Sequence, residues 1–275
     1  MTESVPKSFK FPVPGPIETK QISKNTYAVY GGMGANSYFL VGKTSVLVID
    51  AKMTEEFGKA LIEEIEKITA LPISRMILTH SDLDHVNGLS AFPKDMQITA
   101  TEKTRSEMKD EFERSGLRAL VPYLPNDTFT KEKTIDFEGE NLILSFIAPA
   151  HTGGDTVIFM PSKKLAFVGD LLVHGRPLLI HARKGGSSAG LLETLRFLMS
   201  LDCDTYLSGH AIPLNKNAVE LLAKSVESVR EKVITLKKQG KSLDEMKAEL
   251  NVAELEMPPG RPRFPSLEEV IYDEN

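Results

Sequence analysis

The chain has one cysteine, Cys203, and no tryptophan. A single thiol forms no internal disulfide, so the fold must rest on packing, and a reducing compartment is compatible with it. Cys203 lies between Asp202 and Asp204, whose charges disfavour a thiolate, so an inert thiol is expected. No apolar run approaches the ~18 residues of a membrane span. There is no basic surplus: 33 Lys and Arg stand against 38 Asp and Glu, for a net charge of −5 and a pI near 5.8. That balance disfavours nucleic acid or an anionic membrane as a partner. Met1–Lys7 lacks the apolar stretch of a secretory signal, so the expectation is a cytoplasmic protein. Long repeats and low-complexity tracts are absent. What remains is ordinary for a globular protein: 275 residues, 41% apolar and 26% charged, with enough chain to bury a core.

Against that background, Thr79-His80-Ser81-Asp82-Leu83-Asp84-His85 places four potential metal ligands within six consecutive residues, just after the apolar run Met76-Ile77-Leu78. Two imidazoles and two carboxylates on one short loop would repel or stay unpaired if buried, and a cation resolves both problems. Three further candidates each follow an apolar run: His151, Asp170 and His210. Alone, His151 or His210 would read as a structural histidine. Seven such residues at strand ends suit two metal ions better than one.

The chain resembles the metallo-β-lactamase-fold hydrolase superfamily. The resemblance rests on the loop at His80, Asp82, Asp84 and His85, then His151, Asp170 and His210 at gaps of 66, 19 and 40 residues. Supporting segments are Val46–Asp50, His151-Thr152-Gly153-Gly154-Asp155, Gly169-Asp170 and Ser208-Gly209-His210, and the similarity spans about residues 20 to 215. Asp82 departs from the pattern, which carries a second histidine there. The resemblance implies a first metal on His80, Asp82 and His151, a second on Asp84, His85 and His210, and Asp170 bridging them. It further implies a metal-bridging hydroxide as nucleophile, with Asp84 orienting it and moving its proton. Two divalent ions are expected, zinc first, with iron or manganese admitted because a carboxylate at Asp82 hardens the donor set. On that reasoning, Asp82→His raises the preference for zinc.

The chain reads as two halves of similar pattern. Strands are expected at 26–32, 36–42 and 45–50, a helix from Thr54 bearing Phe57, Leu61, Ile65 and Ile68 on one face, and strands at 75–79 and 97–100. The second half carries strands near 134–137, 141–149, 155–160, 164–169 and 204–208, with a helix near 188–201. Strands alternating with helices imply two helix-covered sheets. Packed together they make a four-layer αββα sandwich of mixed sheets, the architecture the resemblance also implies. Residues 1–215 would form the catalytic domain and 216–275 a helical extension packed on it. In that extension Val219, Leu222, Val226, Val229, Val233 and Leu236 mark one apolar helical face. It either packs on the chain's own body or, as the lesser alternative, forms a homodimer. Ser242-Leu243-Asp244-Glu245 is a capping-box signature, and Pro258–Pro265 reads as extended.

Other residues have open roles. Asp50 is expected to hydrogen-bond a ligand or the loop backbone rather than to ligate. His174 and His181 follow Asp170 closely and are candidates for lining the pocket. Residues 101–128, with a helix from Glu102 to Arg114, either cover the cleft or form a solvated insertion. Gly153-Gly154 gives a turn. The function expected is hydrolysis of a small ester, thioester, lactone or amide. Two alternatives stand beside it. One is a di-iron oxidoreductase related to the flavodiiron branch, disfavoured because the C-terminal stretch is too short and helical for that branch's flavodoxin-like domain. The other is a non-catalytic metal-binding protein.

Overall fold

A computed structural model describes residues 15–253 and 263–275. The readings of Met1–Lys7 and of Pro258–Pro262 lie outside the described residues.

Seven strands form one sheet in sequence order: β1 Gly15–Ser23, β2 Thr26–Gly32, β3 Ser37–Val41, β4 Val46–Ile49, β5 Ile73–Ile77, β6 Gln97–Thr101 and β7 Asp127–Phe129. Five more form the second, in the order β12-β11-β10-β9-β8. These are β8 Glu132–Phe137, β9 Glu140–Ser145, β10 Val157–Met160, β11 Leu165–Gly169 and β12 Thr205–Ser208. Hairpin-linked strands pair antiparallel from β1 to β4 and from β8 to β11. The parallel steps, β4 through β7 and β11 to β12, require crossovers. Those crossovers carry α1 Glu55–Glu66, the one-turn α2 Leu83–Val86, α3 Glu102–Arg114 and α4 Ser188–Ser200.

β4 shows why the layers form. Its four residues are all fully buried, yet they divide by parity. Val46 and Val48 join the core beneath α1 and α3, with Leu61, Ile65, Met108 and Phe112. Leu47 and Ile49 join the core between the sheets, with Ile77, Leu144, Ile158 and Phe167. A third core lies under α4 and α5 Lys216–Lys238, where Val168 and Tyr206 meet Leu195 and Val226. The architecture is the αββα sandwich, two mixed sheets flanked by helices.

Several boundaries differ from the sequence reading for a traceable reason. β5 stops at Ile77 rather than at residue 79, because Thr79 N–H turns to the Asp50 carboxylate (2.9 Å). Ile68 falls beyond α1 and is exposed rather than on its buried face. Thr54 caps α1, its side chain accepting from Phe57 N–H. In the C-terminal part α5 buries Val219, Val226, Val233 and Leu236, α6 Leu243–Leu250 begins with the expected capping box at Ser242, and α7 Leu267–Glu274 follows. These helices pack on the chain itself. Arg230 of α5 pairs with Glu274 of α7 (3.1 Å), and that carboxylate also accepts from Ser188 N–H at the start of α4 (2.7 Å).

Candidate metal centre

The seven residues singled out by the sequence come together at one edge of the sandwich. His80 and Asp82 follow β5, Asp84 and His85 ride on α2, His151 follows β9, Asp170 follows β11 and His210 follows β12. Chain leaving the carboxyl ends of the strands is free to turn polar side chains into the crevice, where α/β sheets place their ligands. Asp50 ends β4 beside them with φ of 60°, a left-handed conformation uncommon for a non-glycine residue. Gly209 permits a close approach within the cluster. A Cβ there would lie 2.4 Å from Asp170 Oδ1 and 2.6 Å from His85 Cε1, so no larger residue fits without displacing both.

Three overlapping triads result, each with ligand atoms within 4.8 Å of one another: His80, Asp82 and His151; Asp84, His85 and His210; His80, His85 and Asp170. Asp170 reaches into both of the first two. Its Oδ1 is 3.3 Å from His85 Nε2, and its Oδ2 is 3.2 Å from His210 Nε2 and 3.9 Å from His151 Nε2. The imidazoles are oriented from behind. His85 Nδ1 meets Asp50 Oδ2 (2.7 Å), His151 Nδ1 meets Leu179 O (2.8 Å) and His80 Nδ1 meets Thr79 Oγ1 (3.0 Å). With Nδ1 engaged in each, Nε2 faces the cluster, the arrangement that fixes a metal-binding tautomer. His80 Nε2, His85 Nε2, His210 Nε2 and Asp170 Oδ1 are buried without an aligned hydrogen-bond partner. Buried polar atoms in that condition are costly, and a cation shared between them removes the cost. The donor set therefore fits divalent metal.

The electrostatics agree. Burial would raise the carboxyls of Asp82 and Asp170, but neighbouring histidines hold both well below the usual carboxylate range. Asp84 likewise falls to about 2 beside His85 and His210. Burial lowers His80, with His85 adding repulsion. In His85 and His151 burial pulls the same way, yet the carboxylates prevail: Asp50 and Asp170 hold His85 well above its usual range, and Asp82 holds His151 at about 9. The carboxylates of Asp82, Asp84 and Asp170 thus favour protons on the neighbouring imidazoles of His85, His151 and His210. Metal uptake would displace those protons and supply the positive charge instead.

His181 joins this cluster, its Nδ1 3.2 Å from Asp82 Oδ1 and its ring 4.8 Å from that of His151. Phe264, just before α7, stacks on the outer side of His181 with ring centroids 4.9 Å apart. His174 lies exposed on the loop after β11. Cys203 is buried, and burial raises its thiol, in keeping with an inert residue.

Two residues escaped the sequence reading. Lys184 places its ammonium 2.7 Å from Asp82 Oδ1. Glu107, on the inner face of α3, accepts from Ser81 Oγ (2.7 Å) and from Gly153 N–H (3.1 Å), tying the metal loop to the loop of His151. Thr101 and Thr104 add bonds to Gly154 O (2.9 and 2.8 Å). The segment 101–128 is accordingly fastened to the ligand loops through α3 instead of standing off as a solvated insertion. Gly153 and Gly154 do more than turn: a Cβ on Gly153 would lie 2.5 Å from Glu107 Oε1.

Burial lifts the Glu107 carboxyl to about 7, against the pull of Ser81 and Lys184. The folded state therefore binds a proton that the unfolded chain has released between about pH 4.5 and 7. That contribution is full below the unfolded value and is lost as pH rises through the folded one. Relative to Glu107→Gln, the wild type should lose on the order of 2 kcal/mol of stability between pH 5 and 8. Denaturant unfolding at the two pH values reads this, and an unchanged difference would show that Glu107 is ionised throughout.

Comparison with known proteins agrees with the fold. The chain is 27% identical over 165 residues to a metallo-β-lactamase of Chryseobacterium indologenes, covering 59% of this chain and 65% of that protein. It is 29% identical over 135 residues to a hydroxyacylglutathione hydrolase of Haemophilus influenzae, covering 46% and 63%. The match thus spans a little under two thirds of each relative's length. Among solved structures, a metallo-β-lactamase from Pontibacter korlensis superposes with a TM-score of 0.65 at 17% identity, over 77% of this chain and 99% of its own. The inverting sec-alkylsulfatase Pisa1 from a Pseudomonas species gives 0.73 at 15% identity, over 93% of this chain and 47% of its own. These structures share the fold. The sequence profile of the metallo-β-lactamase superfamily matches residues 30–210, from β2 through the last candidate ligand, and the chain belongs to that superfamily.

Proposed function

We propose that the protein is a dinuclear metal-dependent hydrolase of a small ester, thioester, lactone or amide, with zinc as its first-choice metal. One observation carries the reading: seven His and Asp side chains form three overlapping triads around buried, unpartnered ligand atoms. The relatives' names, a metallo-β-lactamase and a hydroxyacylglutathione hydrolase, support acyl transfer to water as the reaction class. Bound, a pair of divalent ions supplies a nucleophile at neutral pH by lowering the pKa of water toward about 7, and polarises the carbonyl under attack.

The chain's own residues divide the remaining work. His80, Asp82 and His151 would hold one ion, Asp84, His85 and His210 the other, and Asp170 would join both. Asp84 is the most open of the three carboxylates, its side chain 30% exposed against 9% for Asp82 and 6% for Asp170. It can therefore meet both water and substrate, and its low pKa keeps it ionised to accept a hydrogen bond from the attacking water. Asp50 and Thr79 hold His85 and His80 in place from behind.

The test is a substrate panel of acyl-glutathione thioesters, lactones, aryl esters and β-lactams, each assayed before chelation, after it, and after zinc is returned. At least one class should be cleaved, with activity lost to the chelator and regained with the metal. Hydrolysis that survives complete metal removal would contradict the proposal.

A further inference from the structure

The sequence departure at Asp82 has a counterpart that only the fold reveals. The two oxygens of Asp82 face different surroundings. Oδ2 points to the first triad, 3.0 Å from His151 Nε2 and 3.6 Å from His80 Nε2. Oδ1 points away from it, to Lys184 Nζ at 2.7 Å and His181 Nδ1 at 3.2 Å. Lys184 also reaches Ser81 O (3.1 Å) and Ser81 Oγ (3.2 Å), so the three hydrogens of its ammonium all have acceptors on the metal loop.

Nor is Lys184 a surface lysine that has folded over by chance. It ends the short turn Ala182–Lys184, which is tied to the His151 loop on either side: His181 N–H bonds His151 O (2.7 Å), and Ser187 N–H bonds Ala150 O (2.8 Å). A Cβ on Gly186 would lie 2.4 Å from His151 O, so this turn is pressed against the backbone of a candidate ligand. The Lys184 side chain is only 14% exposed, and Phe264 covers its neighbour His181.

We propose that Lys184 is a positioning residue of the first metal site. It holds the outer oxygen of Asp82 so that Oδ2 alone is offered to metal, and it supplies the positive charge that balances this carboxylate. Together Asp82 and Lys184 carry no net charge, as the neutral imidazole of the usual pattern would, so the site keeps the electrostatics of a three-histidine site. This rests on the metal reading above, and it reverses the expectation drawn from Asp82 alone. Asp82→His now strands a buried cation beside a dication, and first-site affinity falls instead of shifting toward zinc.

The experiment titrates zinc against a chromophoric chelator on metal-stripped wild type, Asp82→His, and Asp82→His combined with Lys184→Met. Wild type should take up two equivalents. Asp82→His should bind its first-site zinc at least tenfold more weakly, and adding Lys184→Met should restore affinity to within about threefold of wild type. A lysine with a purely structural role would make the double variant worse, not better. If the single variant binds zinc as tightly as the double, the role of Lys184 is disproved while the metal reading stands; if wild type binds none, the metal reading itself fails. Should Asp82→His not fold, Lys184→Met alone decides the matter. It leaves Asp82 unbalanced and should raise manganese affinity relative to zinc at least threefold, and an unchanged ratio would overturn the proposal.

Discussion

Asp84→Asn should lower the turnover number by at least ~10²-fold on any substrate the panel identifies, because it removes both a ligand and the group that orients the attacking water. The change is nearly isosteric. The backbone of Asp84 is held independently of its side chain, with Ala35 N–H bonding Asp84 O at 3.0 Å and Ala51 N–H bonding the next carbonyl, His85 O, at 2.6 Å. Thermal unfolding should therefore stay close to that of the wild type. The side chain itself lies 3.0 Å from His210 Nε2 and 4.0 Å from His85 Nε2, the two histidines of its triad. Steady-state kinetics on the purified variant, with metal content measured in parallel, checks the assignment. Near-normal turnover would exclude Asp84 from the chemistry.

Asp50→Ala should weaken metal binding at the second site by ten- to a hundredfold, the usual effect of losing the group that orients a ligating histidine. Asp50 accepts from Thr79 N–H (2.9 Å) and Thr79 Oγ1 (2.7 Å) and meets His85 Nδ1 (2.7 Å), so one carboxylate fixes both the start of the metal loop and a ligand. Asp50→Asn is the informative control. Asparagine tolerates the left-handed backbone that Asp50 adopts, whereas alanine does not, which separates strain from the lost interaction. Asn should keep the fold and still bind metal less tightly than wild type. If competitive chelation gives equal affinity for Asp50→Ala and wild type, His85 is oriented by something else.

The parts of this molecule that the sequence made legible are those where one residue type leaves few physical options. Four ligand-type side chains in the stretch His80 to His85 have no comfortable buried state without a cation, and the fold brings all of them to the cluster. The apolar run at 45–50 reads as a strand, and β4 Val46–Ile49 forms there. Thr54 and Ser242 announce helix starts, and both cap. Less legible were features set by partners distant in the chain. β1 is polar and mostly exposed, so it lacks the alternation that marks a half-buried strand. β5 ends early because Asp50, 29 residues upstream, claims the N–H of Thr79. Glu107 and Lys184 sit among other charged residues and read as solvated surface. Their roles follow only from contacts to Ser81 and Asp82 across 26 and 102 residues.

Metal content tests the account most directly. Purified protein, analysed for elements alongside its concentration, should carry close to two first-row transition ions per chain, or take up two after stripping and reconstitution, with protons released as they bind. Protein that arrives without metal and takes up none under reconstitution would contradict the reading of His80, Asp82, Asp84, His85, His151, Asp170 and His210 as a dinuclear site.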